Sequence, residues 1–546
     1  MTLFFSFIIA LFVTMLLIPP LMRQAKRWQF VDLPGPRKVH VNAVPRIGGV
    51  AMVVGSVLPM IMWLMPTKAI TALLLGIMVI VTFGVWDDRK NIDYRLKFLG
   101  QAIAVAIVVF YGDVRIDVVP FAGLDPVPLY VSLPLTFLFL MGITNAINLS
   151  DGLDGLAGGT TLLSFGVIAL LGYLEGHAMV LLTSIAVLGS ILGFLRFNTH
   201  PARIFMGDGG SQFLGFSVGV LAVMLTQNED SPLSPALPLL LLGLPILDTL
   251  LVMGQRVYEG RSPFTPDRNH IHHKLLSLGI DHYEAVVIIY IVQSILVMAA
   301  YYLRYQSDTI ILSSYLTFCV LVAGGFRIAH VTGWKFRAGV EQHKPLLARG
   351  VNRFRYYQHS GKITEMTSKA VAATLPVYLV FGIVSAQQVS MDIGALALLL
   401  LAAMLIFQFR ILTETGHWLE RAAAYTLCTF IIYLDHSSNN IGGSTFAPLV
   451  NSYFALLAVA VVMGFQFSKT KDFTMTPLDF LVIFIAFAIP NLPGLNFGQN
   501  IGVAIAKIIV LFYAVELILN YVKAKPAMVK STMIFMFSFL AVKAFL

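Results

Sequence analysis

Charge is scarce in this chain. Of 546 residues only 12% are Asp, Glu, Lys or Arg, while 58% are hydrophobic. A mean hydropathy of +0.82 excludes an ordinary soluble domain, which could not hide that much apolar surface from water. Cysteine is nearly absent: Cys319 and Cys428 both fall in apolar stretches, so there is neither a disulfide framework nor a cysteine zinc motif. No Gly-x-x-x-x-Gly-Lys-Ser/Thr occurs, which leaves ATP hydrolysis without its phosphate loop. The first apolar segment, Thr2 to Met22, lacks a basic leading region and a small-residue cleavage site, so it is expected to stay as a span. No repeat links the two halves, which argues against an inverted-repeat transporter. The net charge of +9 comes from basic loops and is no nucleic-acid signal.

What is there is apolar length, and it predicts an all-α polytopic membrane protein. About eleven spans are expected in residues 1–330, near 2–22, 47–65, 69–86, 98–111, 131–147, 160–172, 178–195, 212–226, 236–253, 284–302 and 309–326. Residues 331–369 read as a basic cytoplasmic linker. About seven more spans follow in 370–546, near 370–386, 393–409, 419–434, 446–466, 477–490, 500–521 and 531–545, with no role assigned. Lys/Arg bias sets the orientation. One set of alternate loops, within 23–46, 89–97, 196–203 and 256–274, carries about sixteen basic residues; the other holds only Lys68, Arg115 and Arg304. The first set is therefore cytoplasmic and the N-terminus periplasmic.

Six polar stretches interrupt the apolar chain at 37–49, 87–97, 145–159, 196–211, 245–249 and 262–274, and this topology puts all of them on the cytoplasmic side. Polar groups gathered at one membrane face describe a site. Asp87 and Asp88 close the third span; adjacent carboxylates repel unless a cation or a shared proton offsets them, and oxygen ligands in small number suit Mg²⁺. Asn145, Asn148, Asp151 and Asp154 recur every three residues, which on a helix would put neighbours on one face. Glycines around them permit close approach. Asp208 sits in the Gly-rich turn Met206 to Ser211 ahead of the eighth span, where backbone N–H groups and a helix start favour phosphate and Asp208 could ligate a metal bound to it. His270, His272 and His273 lie in one loop with Asp267 and Arg268. No Cys or Glu stands close enough to complete a zinc set, so contact with phosphate or sugar hydroxyls is the better reading. Phosphate-binding turns, a hard metal and a membrane-face site together point to phosphoryl transfer.

These residues resemble a known family. Asp87-Asp88, Asn148-x-x-Asp151-Gly-x-Asp154-Gly-Leu-Ala-Gly, Asn198 followed by Phe205-Met206-Gly207-Asp208-x-Gly210-Ser211, and His270-Ile271-His272-His273 resemble the polyprenyl-phosphate N-acetylhexosamine-1-phosphate transferases, over roughly residues 1–330. The resemblance implies transfer of N-acetylhexosamine-1-phosphate from a UDP-sugar to undecaprenyl phosphate, with release of UMP, as the first step of a lipid-linked surface polysaccharide such as O-antigen. It implies Mg²⁺, with Mn²⁺ as alternative, on Asp208 and Asp151. Asp87 and Asp88 would position the lipid phosphate or accept its proton. Asn148, Asp154 and Asn198 would orient the nucleotide, and Lys97, Arg268, His270, His272 and His273 would contact phosphates or sugar. The expected partners are the UDP-sugar, undecaprenyl phosphate and the bilayer of a bacterial inner membrane, with a second copy of the chain as a candidate; nucleic acid is not among them. The phospho-N-acetylmuramoyl-pentapeptide transferase is the alternative, although it typically carries three consecutive His where this chain interposes Ile271. A transporter or flippase is the rival class, and it would spread ionisable groups to mid-span and both faces. Here the exceptions to one-sidedness are Asp248, Lys507 and Glu516.

Overall fold

The computed structural model describes residues 2–32, 43–120, 126–227, 231–262, 269–335, 362–386, 389–409, 415–437, 447–466, 501–521 and 526–545. It is helical almost throughout, and the chain forms two compact units: Met1–Val340, and a second drawn from residues 341–546. Among the described residues, ten helices are long and apolar enough to cross a membrane. The protein is an integral membrane protein of all-α class.

In the first unit the eleven expected apolar segments correspond to α1 (Thr2–Ala25), α2 (Gly48–Trp63), α3 (Lys68–Lys90), α4 (Tyr94–Ala106, prolonged by a π-turn over Ile107–Tyr111), α5 (Leu129–Ser150), α6 (Leu156–Leu174), α7 (Ala178–Asn198), α8 (Gly207–Thr226), the pair α9 (Pro238–Leu241) and α10 (Gly243–Tyr258), α12 (His282–Leu303) and α13 (Asp308–Thr332), of which α2 and the α9–α10 pair are shorter than a full span; a short α11 (Ile271–Ser277) precedes α12. Local chemistry sets the ends. Thr67 accepts the Ile70 amide at 3.3 Å to start α3, and Asn91, at φ 46°, ends it. Asp281 and Glu284 form a capping box at the start of α12.

The ninth span is broken at Leu242. Pro245 has no N–H to give and Gly243 weakens the helix. A broken helix at membrane depth survives only if its freed backbone groups find partners. Here the Leu241 carbonyl accepts from Ser164 at 2.8 Å and Gln293 at 2.9 Å, and the Gly243 carbonyl accepts from Tyr315 at 2.9 Å. The break redirects α10 and so places Asp248.

The centre of this unit is α8, buried along almost its whole length. Glycines let its neighbours approach: a Cβ on Gly84 of α3 would strike the Gly209 backbone, one on Gly49 of α2 the Gly210 backbone, and one on Gly215 the Thr144 backbone of α5. So α2, α3 and α5 pack directly on the helix that begins with Asp208. A two-stranded antiparallel ribbon, β1 (Val31–Asp32) with β2 (Val44–Pro45), leads into α2. The first amides of α2 donate to Phe205 O at 3.0 Å and Met206 O at 2.9 Å, which ties the start of α2 to the turn before α8.

The second unit contains α14 (Lys362–Ser385), α15 (Met391–Phe409), α16 (Thr415–Ser437), α17 (Ala447–Gln466), α18 (Ile501–Tyr521) and α19 (Pro526–Phe545). Within it α15 packs on α19, α14 on α17, and α16 on α18. The span expected near 477–490, and most of the basic linker, lie outside the described residues.

Candidate active site

Helix ends of α3, α4, α5 and α8 meet on one side of the first unit, and each brings one polar group to a common point. Lys97, in the first turn of α4, reaches all the others: its Nζ donates to Asp87 Oδ2 at 3.2 Å and Asn148 Oδ1 at 3.4 Å, and forms an ion pair with Asp208. Asn148 donates to Asp208 Oδ1 at 3.2 Å and to Ser211 Oγ at 2.7 Å. One turn deeper the same helices form a carboxamide layer. Gln101 donates to Gln212 at 2.9 Å, and Asn145 donates to Gln101 at 2.7 Å. The spacings Lys97/Gln101 and Asp208/Gln212 are i,i+4, so a single helical repeat builds both layers.

Asp87 and Asp88 are adjacent in sequence but do different things. Asp87 faces Lys97 and also accepts the Ile92 amide at 2.9 Å. Asp88 points into the start of α8, where Oδ1 accepts the Asp208 amide at 2.8 Å and Oδ2 the Gly209 amide at 3.1 Å. Those first amides of α8 are the ones expected to face a phosphate; in the structure the Asp88 carboxylate takes two of them. It is the anion that the helix start attracts.

The helical spacing expected over Asn145–Asp154 stops at Ser150, the last residue of α5. Asn145 and Asn148 share a face; Asp151 and Asp154 lie in the turn beyond and diverge. No described residue hydrogen-bonds the Asp151 carboxylate. Burial, and then the Asp208 charge, push it up to about 7, against the pull of Arg46. Asp154 turns to the loop after α7: its Oδ2 lies 2.7 Å from His200 Nδ1 and accepts the Ala202 amide at 3.0 Å. Burial raises that carboxyl, but the His200 and Ala202 hydrogen bonds outweigh it and hold it below the usual range; His200 is raised in turn, chiefly by the same bond.

Asn198 is buried, and both ends of its amide serve backbone: Oδ1 accepts from Gly155 at 2.9 Å and Nδ2 donates to Ile204 O at 2.8 Å. It shapes the loops rather than facing the Lys97 cluster. The His group splits as well. Asp248 holds His270 Nδ1 at 2.9 Å and accepts the Ile271 amide at 2.7 Å, so it fixes the start of α11. His272 is buried against Gly152, where any Cβ would strike its ring, and it sits beside His273 with ring centroids 4.2 Å apart. Burial, followed by the neighbouring His273, lowers His272 to about 3, so it is a neutral imidazole at physiological pH. Arg268 lies outside the described residues.

The sequence motifs do not single out Arg46, whose guanidinium contacts Asp32 at 3.1 Å and whose charge acts on both Asp88 and Asp151. Its membership of the 37–49 polar stretch, just before the Gly48-Gly49 helix start, is the signal that could have found it. Gln101, Gln212 and His282 are equally silent, since single amides and a lone His inside apolar sequence announce nothing.

The site thus gathers Asp87, Asp88, Asp151 and Asp208 against Lys97 and Arg46. This surplus of carboxylate oxygens, with Asp151 lacking a hydrogen-bond donor among the described residues, fits a hard divalent cation. Beside it, Ile271, Leu275, Ile289, Leu321 and Phe326 help line an apolar cavity of about 480 Å³ between α10, α11, α12 and α13.

A membrane-embedded bundle with acidic and amide side chains converging at one end belongs among polytopic α-helical membrane proteins with a polar cluster at the ends of their spans. The model of glycosyl transferase family 4 matches residues 70–226, the stretch from α3 to the end of α8. A probable undecaprenyl-phosphate N-acetylglucosaminyl 1-phosphate transferase of Bacillus subtilis is 36% identical over 350 residues, 63% of this chain and 97% of that protein. A decaprenyl-phosphate N-acetylglucosaminephosphotransferase of Mycolicibacterium smegmatis is 35% identical over 307 residues, 50% of this chain and 76% of its own length. An undecaprenyl-phosphate alpha-N-acetylglucosaminyl 1-phosphate transferase of Escherichia coli K12 is 29% identical over 280 residues, again 50% and 76%. The chain belongs to glycosyl transferase family 4.

Proposed function

We propose that the protein transfers N-acetylhexosamine-1-phosphate from a UDP-sugar to undecaprenyl phosphate, at the cytoplasmic face of a bacterial inner membrane, and so starts a lipid-linked surface polysaccharide. The observation that carries this reading is the convergence of Asp87, Lys97, Asn148 and Asp208 from four helices at one end of the bundle. The Lys/Arg bias of the loops at that end supports the cytoplasmic side, where UDP-sugars are made. The names of the relatives make UDP-N-acetylglucosamine the first sugar to test.

In the reaction a non-bridging oxygen of the lipid phosphate attacks the β-phosphorus of the UDP-sugar. The bond from that phosphorus to the oxygen shared with the α-phosphate breaks, and UMP leaves. The lipid phosphate, with a second pKa near 6, is already largely ionised, so positioning and charge neutralisation matter more than a base. Lys97 supplies a cation within reach of both acidic side chains, and substrate phosphates compete with Asp87 and Asp208 for it. Asn148 orients Asp208 through Oδ1. Asp88 holds the start of α8 and hence the direction of Asp208. Mg²⁺, held by Asp208 and Asp151, would neutralise pyrophosphate charge and stabilise the leaving UMP. The neutral His272 and its neighbour His273 suit contact with phosphate or sugar oxygens. The apolar cavity beside α11 suits part of a polyprenyl chain. Asp154 and Asn198, assigned to the nucleotide on resemblance, act here as shapers of the loops that carry the site.

The test is direct. Purified protein is incubated with undecaprenyl phosphate, Mg²⁺ and a panel of UDP-sugars including UDP-N-acetylglucosamine, UDP-N-acetylgalactosamine and UDP-N-acetylmuramoyl-pentapeptide, and UMP is measured. Release with one of the first two is expected. Release with the pentapeptide substrate alone would move the protein to the peptidoglycan step, and no release with any of them would overturn the proposal.

A further inference from the structure

A second cluster of ligand-type side chains lies apart from the Lys97 centre. Asp154 in the turn after α5, His200 in the loop after α7 and His282 at the start of α12 each offer one ligand atom, and these atoms all lie within 4.8 Å of one another. Asp154 and His200 are already joined at 2.7 Å. The His200 and His282 rings are stacked with centroids 4.4 Å apart and planes inclined by 27°. Both ring nitrogens of His282 are buried from solvent and make no hydrogen bond of good geometry, although the Asp154 backbone lies close enough to one of them to interact. Leaving a buried polar atom unsatisfied costs about 1–3 kcal/mol, so such an atom asks for an explanation.

We infer that Asp154, His200 and His282 form a binding site for a divalent transition metal, most simply Zn²⁺, distinct from any cation at Asp208. Two imidazoles and one carboxylate are a borderline ligand set, suited to Zn²⁺ and its neighbours rather than to Mg²⁺. Zinc–nitrogen bonds of about 2.0–2.1 Å put tetrahedral ligand atoms about 3.3 Å apart. Closure needs the ligand atoms to approach by about 1–1.5 Å and one ring to turn out of the stack so that both in-plane lone pairs aim at the ion, a rotation open to His200, whose side chain is 44% exposed. That exposure also leaves room for a water as the fourth ligand. A metal there would take one buried nitrogen of His282 and tie three separate segments together. One of them, residues 199–206, runs straight into the turn that carries Asp208, so the metal would brace the reaction centre without touching the substrate.

The experiment uses the full-length protein in detergent. After treatment with a chelator and its removal, Co²⁺ is titrated in and read by visible absorption, with metal content measured by mass spectrometry after Zn²⁺ loading. One equivalent of Zn²⁺ is expected, with a Co²⁺ spectrum of tetrahedral intensity. The melting midpoint should rise with free Zn²⁺. Asp208→Asn should keep that equivalent, while His200→Gln and His282→Gln should each lose it. His200→Gln changes a half-exposed side chain and is the variant that should fold in any case. Absence of bound Zn²⁺ in the unmodified protein, or full retention in folded His200→Gln, overturns the inference and leaves Asp154 and His200 as a hydrogen-bonded clamp only. UMP release is not the readout, so the metal site and the proposed reaction can fail separately.

Discussion

The two units handle charge in opposite ways. In the first, four carboxylates stand at helix ends against Lys97 and Arg46, and Lys97 alone is shared among Asp87, Asn148 and Asp208. In the second, charges lie within helices and meet specific partners. Lys507 of α18 contacts Asp435 of α16 at 3.3 Å and lies 5.5 Å over the Phe454 ring, and Tyr425 donates to Glu516. Both members of the Lys507–Asp435 pair are about nine-tenths buried. Ionisable groups inside a membrane bundle are costly alone and are kept by pairing. A shared cation among surplus carboxylates can be redistributed when a phosphate arrives; a matched pair has nothing to give up without a penalty. The first arrangement suits the proposed site and the second suits a fastening.

The comparison breaks most sharply at Asp208. Asp208→Asn keeps the shape and removes the charge that pairs with Lys97, so turnover should fall at least ~10²-fold, on the scale of losing one strong transition-state electrostatic contact. UMP release by the folded variant is the measure. A near-normal rate would put the reaction centre elsewhere.

Asp88 sharpens it. Its carboxylate caps two amides of α8 and does not meet Lys97, so Asp88→Ala should cost about 1–2 kcal/mol of stability, as loss of a helix cap does. Turnover should fall about tenfold through misdirection of Asp208, the equivalent of about 1.4 kcal/mol. Asp88→Asn keeps one acceptor and should recover part of both. Melting and UMP release are followed together; a loss of activity with unchanged melting in both variants would make Asp88 a reacting group instead.

His272 gives a smaller effect, visible in pH. Its folded pKa of about 3 lies below the ordinary 6.5. Between those values the unfolded chain binds the additional proton, so stability falls as pH drops from 6.5 toward 3. His272→Asn should flatten the melting-versus-pH curve between pH 6.5 and 4. Equal slopes in the two proteins would mean that His272 is solvated.

Much of this architecture is legible in the amino-acid sequence alone. Most spans of the first unit follow from apolar length, since an 18-residue window has no other use for so few charges; α2 and the broken α9–α10 pair are shorter than that. The convergence of Asp87, Asn148 and Asp208 follows from polar residues at alternate span ends. The direction of each side chain is not legible. Asp87 and Asp88 look alike in sequence, yet one helical step of about 100° sends one to Lys97 and the other to the α8 amides. The three-residue rhythm of Asn145–Asp154 reads as one face, yet α5 ends at Ser150 and Asp154 goes to His200. The break at Leu242 is held by Ser164, Gln293 and Tyr315 together, three residues far apart in sequence that only the folded bundle brings to one place. Lys507 and Glu516, nine residues apart, are about 13 Å apart along a helix, so separate partners are required, but which ones only packing decides.

The smallest change in turnover is expected from the fastening itself. Lys507→Leu takes the Lys507 cation away from buried Asp435, and breaking a buried pair from one side costs about 3–5 kcal/mol. The double variant Asp435→Leu with Lys507→Leu removes both charges and should recover most of that loss, because a well-packed apolar pair is a fair substitute for a buried ion pair. Melting in detergent should therefore drop for the single variant and return for the double. UMP release per folded molecule should stay at the unmodified level in both, since every residue proposed to meet substrate lies in the first unit. If the double variant melts normally but no longer releases UMP, the pair belongs to the reaction, and the division between a site in one unit and a fastening in the other is wrong.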